Sequence, residues 1–146
     1  MNNSNKNQDI SILMSEDLES PEGYKKYEIN DLENIKEESC DNIYIGDLFD
    51  YFEIRALPEL IDTIISKIKQ NGKLLIKAPD ILQLSWYTCR LNLELSKLRY
   101  ILYDTNRKAC YSLDEILNVF SNINTIDIET AYIINGYEYS IIVSKK

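Results

Sequence analysis

Short apolar runs separated by polar turns predict strands in the first third of the chain. Residues 10–14 read ISILM, residues 24–29 read YKKYEI and residues 42–46 read NIYIG, and β-branched and aromatic side chains recur in them. The segment SEDLESPEG between the first two runs is acidic and rich in turn-forming residues, which predicts a loop. Residues 1–9 are polar, and we expect them to form a disordered tail.

The middle of the chain predicts a helix followed by a strand. Pro58 suits the first turn of a helix, and apolar side chains recur on one helical face after it. The pair Asn71-Gly72 tolerates the left-handed conformation that ends a helix, and residues 73–78, KLLIKA, then predict a strand. A strand, a helix and a strand in this order form a βαβ unit, whose two strands lie parallel.

The last third predicts two further helices and a hairpin. Residues 81–103 carry leucines near one face, which indicates one long helix, and SLDE at residues 112–115 is a capping box that starts a short one. Alternating residues on either side of Asn135-Gly136 predict antiparallel strands joined by a type I′ turn. The pattern therefore predicts one α/β domain over residues 10–146, with a mostly parallel sheet that closes in an antiparallel hairpin.

The charge of the chain is negative and unevenly placed. The formal net charge is −8, and residues 1–40 hold ten Asp or Glu against four Lys. Such a surface repels phosphate backbones, so we expect no nucleic-acid partner. A basic protein partner would suit the acidic segment, but a plain solvated face is the favoured explanation. No apolar run approaches the about 20 residues that span a bilayer, and the first residues lack the apolar core of a secretory signal. We therefore expect no membrane contact and a cytoplasmic location, in a host cell if the protein is viral.

The chain has no histidine and three widely spaced cysteines, Cys40, Cys89 and Cys110. An odd count without a CxxC pair fits neither a closed disulfide set nor a zinc site, so we expect no metal and three reduced, mostly buried thiols. The missing histidine removes the commonest general base. Ser-His and Cys-His chemistry is therefore excluded within this chain.

Three stretches in the rest of the chain carry a family resemblance. They are CDNIYIGDLFDYF, LPELIDTIISKIKQNGKLLIKAPD, and CYSLDEILNVF with NGYEYSIIVSKK. The first resembles the fourth strand of class I S-adenosylmethionine-dependent methyltransferases and the Leu-Glu-His-Phe that follows it. The others resemble the next helix and fifth strand, and the closing helix and strands. The resemblance covers roughly residues 24–146 and implies a truncated Rossmann-like fold with S-adenosylmethionine as the cofactor.

The resemblance also implies candidate site residues. Asp50 and Tyr51 stand where the family has its Glu-His pair, which makes them the candidate catalytic residues. Gly46 and Asp47 would line the cofactor cleft, and Asp31 is the candidate for the acids that reach the ribose and adenine. Structural alternatives exist: a solvated Asp50, a half-buried Tyr51, a tight turn at Gly46, and a turn or helix cap at Asp31.

Two departures from the family pattern concern the cofactor. The family places a glycine-rich turn after the first strand, because backbone must approach the cofactor closely there. This chain has no glycine before Gly23, and Glu16, Asp17 and Glu19 would repel the cofactor's carboxylate. Only nine residues join the first two predicted strands, whereas a helical crossover needs about 12. The first helix of the family fold, and one of its strands, should therefore be missing.

Two functions are compatible with these features. The favoured one is a degenerate, non-catalytic domain that acts as a binding or structural module, in a multiprotein or viral assembly. It would contact a protein partner or a second copy through the acidic N-terminal segment or through an exposed sheet edge near the first strand. The other is a small active methyltransferase acting on an unknown acceptor, because methyl transfer depends chiefly on proximity and orientation. Trp86 and Tyr87 would wall a pocket or, more commonly for such a pattern, belong to the core.

Overall fold

The apolar runs of the sequence form one mixed sheet in the computed structural model, which describes residues 8–14, 18–90, 92–103 and 106–146. Six strands make up this sheet within the described residues: β1 Asp9–Leu13, β2 Lys25–Glu28, β3 Cys40–Gly46, β4 Ile68–Pro79, β5 Ile126–Ile134 and β6 Glu138–Lys145. Their spatial order is β2-β1-β3-β4-β6-β5. Strands β1 to β4 pair in parallel, and β6 runs antiparallel to both β4 and β5. This architecture confirms the predicted α/β fold class.

Four α-helices accompany the sheet in the described residues: α1 Leu57–Lys67, α2 Ile81–Cys89, α3 Leu95–Tyr103 and α4 Leu113–Phe120. Helix α1 joins β3 to β4 and buries its apolar stripe, including Ile61 and Ile64, in the same core as the strand residues Ile43 and Leu74. Ile43 and Leu74 are also register partners across the β3–β4 pair. The predicted βαβ unit is therefore present, with parallel strands.

The boundary between α1 and β4 differs from the prediction. The helix ends at Lys67, and Ile68 is already extended because it pairs with Cys40 of β3. Asn71, at φ 62°, and Gly72 lie inside β4, where the pairing with β3 shifts register. A Cβ on Gly72 would come within 2.6 Å of the Asp41 carbonyl oxygen. Glycine is thus required for this close approach of two strands rather than for a helix stop.

The predicted long helix at 81–103 is wrong, because the chain forms two helices there. Leu84 in α2 and Ile101 in α3 pack into one small cluster with Leu93 and Tyr137. In a single straight helix Leu84 and Ile101 would lie about 25 Å apart, at 1.5 Å per residue. The chain must therefore turn between α2 and α3 for both to reach Tyr137.

The described residues between β1 and β2 form no helix. The connection from β1 to β2 contains no helix at Met14 or over residues 18–24. Residues 1–7 of the predicted tail, and Ser15, Glu16 and Asp17, lie outside the described residues, whereas Asp9 is the first residue of β1. The edge strands are β2 and β5, so β1 itself is covered on both sides.

Local signals at the C-terminal end are confirmed. Ser112 Oγ accepts a hydrogen bond from the Glu115 amide at 3.2 Å, and the Ser112 amide donates to Glu115 Oε2 at 2.8 Å. Asn135 and Gly136 have φ values of 52° and 83°, the left-handed conformation that a type I′ turn requires. The chain therefore folds locally as these motifs predict.

Two findings concern the surface and the thiols. No helix among the described residues combines the length and the hydrophobicity that crossing a membrane requires. The three cysteines are free, but only Cys40 is buried, while Cys110 is half-buried and Cys89 is exposed on α2. The expectation of mostly buried thiols is therefore wrong for Cys89.

Candidate functional site

A cavity of about 830 Å³ lies at the carboxyl ends of the parallel strands. Leu13 at the end of β1, Gly46 at the end of β3 and Pro79 at the end of β4 line it, and Tyr137 of the C-terminal hairpin closes one side. Strand order reverses between β1 and β3, and such a switch point is where open α/β sheets bind ligands. The volume is within the usual range of small-molecule sites, about 300 to 1,000 Å³.

The cavity wall combines aromatic and charged side chains. Four tyrosines line it: Tyr44, Tyr51, Tyr100 and Tyr137. Six charged residues line it as well: Glu19, Asp47, Lys77, Lys97, Arg107 and Glu138. Lys77 Nζ lies 3.6 Å from Glu138 Oε2, so part of this charge is compensated within the wall. The wall therefore combines charged and aromatic side chains with aliphatic ones such as Leu13, Leu18 and Ile101.

A buried arginine joins the two acids that follow β3. Arg107 Nη1 donates to Asp50 Oδ2 and Arg107 Nη2 donates to Asp47 Oδ2, each at 2.7 Å. The Arg107 side chain is 6% exposed and the Asp47 side chain 26%, while Asp50 has no exposed surface. Hydrogen bonds between charged groups at this distance are strong ones, so the three residues form a fixed cluster at the end of β3.

Backbone contacts attach the loop that carries Arg107 to the same residue. The Asp50 carbonyl accepts from the amides of Lys108 at 2.7 Å and Ala109 at 2.9 Å. Asp50 Oδ1 accepts from the Tyr111 amide at 3.4 Å. The solvated alternative for Asp50 is therefore wrong, because the loop before α4 covers it.

Burial changes the titration of Asp50. Burial, together with the charge of Asp47, raises the pKa of Asp50 from its usual 3.8 to about 7, against the lowering effect of Arg107. Burial and the Asp50 charge also raise the pKa of the Cys110 thiol to about 12 and that of the Tyr139 phenol well above its usual value. Of these buried groups, Asp50 is the one that titrates near neutral pH.

Tyr51 is buried rather than half-buried. Its residue surface is 8% exposed, and its ring centre lies 5.2 Å from the Arg107 guanidinium carbon, a cation–π distance. The next residue is tied down as well, because the Tyr111 hydroxyl donates to the Phe52 carbonyl at 2.6 Å. Both candidate catalytic residues are therefore packed under the loop that contains Arg107.

Asp80 fixes two helices beside the cavity. Its Oδ1 accepts from the amides of Leu82 and Gln83, each at 2.9 Å, and its Oδ2 accepts from the Leu113 amide at 2.6 Å. A carboxylate suits these positions because the first amides of a helix have no partner within it. The beginnings of α2 and α4 thus meet at one side chain.

Comparison with solved structures identifies the fold of this chain. The sequence matches no protein-family model and no curated protein. A solved S-adenosylmethionine-dependent methyltransferase from Mesorhizobium loti superposes with a TM-score of 0.63 at 12% identity, covering 95% of this chain and 91% of that chain. One from Archaeoglobus fulgidus gives 0.61 at 12% identity, with 97% and 87% covered. The PH0226 protein of Pyrococcus horikoshii gives 0.62 at 14% identity, with 94% and 72% covered.

This chain has the class I methyltransferase fold. At these identities the likeness concerns the fold alone, and the roles of individual residues do not follow from it. The resemblance carried by the sequence motifs is confirmed at that level.

The methyltransferase fold brings together four of the five predicted site residues. Gly46, at φ 53°, and Asp47 and Tyr51 line the cavity, and Asp50 lies directly behind Arg107. Asp31 is exposed in the 3₁₀ helix that follows β2, and it does not line the cavity. The catalytic and cofactor roles of all five residues stay predictions.

Arg107 is the residue that sequence reasoning missed. It pairs with acids 57 and 60 positions earlier in the chain, and it lies in a loop without periodic pattern. The positions of Asp47 and Asp50 after β3 indicate only that a cationic partner is needed, because a buried aspartate is usually paired. The identity of that partner was not readable from the sequence.

Proposed function

We propose that this chain is a degenerate methyltransferase-like domain that does not transfer methyl groups and that acts as a binding or structural module. The observation that carries the proposal is the burial of Asp50. Its carboxylate is inaccessible from the cavity and is bound by Arg107 and by the Tyr111 amide. A group that accepts a proton from a methyl acceptor must reach it within hydrogen-bond distance. Asp50 and Tyr51 thus serve to hold the loop before α4.

The cofactor side of the cavity supports the same proposal. Leu18 and Glu19, from the connection after β1, line the cavity, and that connection has no glycine before Gly23. The methionine end of S-adenosylmethionine carries a carboxylate, which Glu19 would repel, whereas the Asp47 carboxylate is already paired with Arg107. The residues that follow β1 therefore do not suit this cofactor.

The second candidate function is an active small methyltransferase. The position of the cavity at the switch point of the sheet and its volume of about 830 Å³ favour this alternative. Methyl transfer depends mainly on holding donor and acceptor in line, so the absence of a histidine does not exclude it. In that case S-adenosylmethionine would be the cofactor, and Gly46 and Asp47 would face it.

Calorimetric titration of the whole chain with S-adenosylmethionine and S-adenosylhomocysteine separates the two functions. We expect no saturable heat at sub-millimolar ligand, because the connection after β1 has no glycine before Gly23 and brings the Glu19 carboxylate to the cavity wall. Saturable binding in the micromolar range would overturn the proposal in favour of the second candidate.

Three variants would then locate such binding. Loss of binding in Tyr44→Ala would place the cofactor in the cavity. Loss of binding in Asp31→Ala would support the predicted contact between Asp31 and the ribose. Glu33→Ala is the matched control for Asp31→Ala, because Glu33 is an exposed acid of the same 3₁₀ helix.

A protein partner or a second copy, contacting the acidic N-terminal segment or a sheet edge, completes the proposed module.

A further inference from the structure

Helices α2 and α3 expose much of the apolar surface of the described chain. Nine large hydrophobic side chains are exposed in the described residues, and six of them belong to these two helices: Leu82, Trp86, Leu95, Tyr100, Leu102 and Tyr103. Trp86 is 57% exposed, so it belongs neither to the core nor to the cavity wall, and the core interpretation of this residue is wrong. Single exposed apolar residues are ordinary, but a concentration in two adjacent helices marks an interaction surface.

The exposed residues form a stripe on each helix. In α2, Leu82 and Trp86 are four residues apart, and Arg90 follows at the same spacing. Residues four apart lie on one side of a helix, whereas Leu84 points to the opposite side and is fully buried. Helix α2 therefore has one apolar side for the protein interior and a second that nothing in the described chain covers.

Helix α3 repeats this arrangement. Leu95, Arg99 and Tyr103 follow one another at the same spacing and are exposed, whereas Ile101 is buried against Tyr137. Each stripe lies on the side of its helix opposite the buried residue, Leu84 or Ile101, and because these two residues pack into one cluster with Tyr137, both stripes point away from that cluster. We call the two stripes together the α2–α3 face, defined by Leu82, Trp86, Arg90, Leu95, Arg99 and Tyr103.

The α2–α3 face is basic on an acidic protein. Residues 81–103 contain three basic side chains and one acidic side chain, a local charge of +2. Because the whole chain has a net charge of −8, the other residues together carry −10. The Arg90 guanidinium carbon lies 4.4 Å from the centre of the Trp86 ring, which keeps this cation on the apolar stripe. An occupant of the face must therefore combine apolar side chains with negative charge.

We propose that the α2–α3 face docks an acidic amphipathic helix of a partner protein. Such a segment presents apolar side chains at helical spacing to a groove or face, and its carboxylates complement Arg90 and Arg99. A second copy of this chain fits less well, because symmetric contact would bring the same cations against each other, and outside α2 and α3 the described residues expose three large hydrophobic side chains, Ile54, Ile128 and Tyr132. This inference rests on the proposed binding module and adds to it a contact surface separate from the acidic N-terminal segment and the sheet edges.

The test uses Trp86, which is the only tryptophan of the chain. The full chain is titrated with a synthetic amphipathic helix built from leucine and glutamate, and Trp86 emission is followed. We expect a saturable blue shift, because docking removes the indole from water, and an affinity that falls with added salt because cations and carboxylates pair across the contact. A leucine–lysine helix of the same design should leave the emission unchanged.

Charge reversal provides the matched comparison. Arg99→Glu, on the face, should weaken binding of the leucine–glutamate helix at least tenfold. Arg55→Glu makes the same change of net charge at a side chain that is 85% exposed and lies outside the face, and it should retain the affinity. Far-ultraviolet circular dichroism confirms that both variants are folded.

Three results would overturn the proposal. They are an unchanged emission with the leucine–glutamate helix, an equal loss of affinity in Arg55→Glu, and a shift produced by phosphatidylserine vesicles but not by the peptide. The last would assign the face to an anionic lipid surface. Failure here leaves the calorimetric result with S-adenosylmethionine untouched, so the docking proposal and the proposed function fail separately.

Discussion

The end of β3 and the α2–α3 face depart from the usual distribution of side chains in opposite directions. At the end of β3, charge is buried: Asp50 has no exposed surface, and Arg107 is 6% exposed. On the α2–α3 face, apolar surface is exposed, with Trp86 at 57%. The buried charge has its partner within the chain, whereas the exposed apolar stripe has none in the part of the chain that the structure describes.

This difference predicts different consequences of mutation. Removing one partner of a buried ion pair destabilises the fold, because the other charge stays buried with neither its partner nor water to compensate it. An exposed stripe contributes little to the folded state, because its side chains are solvated before and after unfolding. Changes at the end of β3 should therefore alter the free energy of unfolding, and changes on the face should alter binding.

The largest effect is expected for Arg107→Ala. It leaves Asp50 buried without its cation and releases the loop before α4, so the free energy of unfolding should fall by about 3 to 5 kcal/mol at neutral pH. Urea denaturation measures this. Lys108→Ala is the control, because Lys108 is the exposed neighbour in the same loop. Equal small losses in both variants would show that the ion pair does not hold the loop.

A pair of leucines in α2 sharpens the comparison within one helix. Leu84→Ala removes a fully buried side chain and should cost about 2 to 5 kcal/mol. Leu82→Ala removes an exposed one and should change stability by less than about 0.5 kcal/mol. Both values come from chemical denaturation. A comparable loss at Leu82 would mean that the outer stripe of α2 is covered in the folded protein.

The raised pKa of Asp50 predicts the pH dependence of stability. Folded Asp50 binds its proton up to about pH 7, whereas the unfolded residue releases it near pH 3.8. The folded state therefore holds more protons between these values, so its stability declines as the pH rises from about 4 to about 7 and levels off above that. We expect a loss of about 2 to 3 kcal/mol in the free energy of unfolding between pH 5 and pH 8.

Asp50→Asn tests the assignment of this slope. The neutral amide resembles the protonated acid, so the variant should retain most of its stability at pH 5 and should lose the decline towards pH 8. A decline of the same size in Asp50→Asn would assign the titration to another group.

The smallest change in stability is expected for Leu95→Ser, on the exposed stripe of α3. It should alter the free energy of unfolding by less than about 0.5 kcal/mol. The same variant should weaken binding of the leucine–glutamate helix, measured by Trp86 emission. A stable variant with undiminished binding would remove Leu95 from the α2–α3 face.

Much of the fold was predictable because its signals are local. The capping box of Ser112 and Glu115, and the turn at Asn135-Gly136, depend on residues within a few positions of each other. The parallel order of β3 and β4 follows from the single helix that joins them. In these regions local propensity and tertiary structure agree.

The candidate site was predictable only in part. Gly46, Asp47 and Tyr51 were placed at the cavity by sequence motifs, because they follow a recognisable strand at the edge where ligands bind. The same motifs do not predict the position of Asp31, because the position of the segment after β2 depends on how the shortened connection from β1 ends. The burial of Asp50 was mispredicted as well.

What the sequence by itself determined is the set of elements and their order; what only the tertiary structure decided is which of their side chains meet. The break between α2 and α3 exists because Leu84 and Ile101 both pack on Tyr137. Asp50 is buried because a loop 57 residues later brings Arg107 over it. Helices and turns follow from interactions between neighbours in the chain, whereas a buried charge is tolerated only where a distant partner is held against it in space.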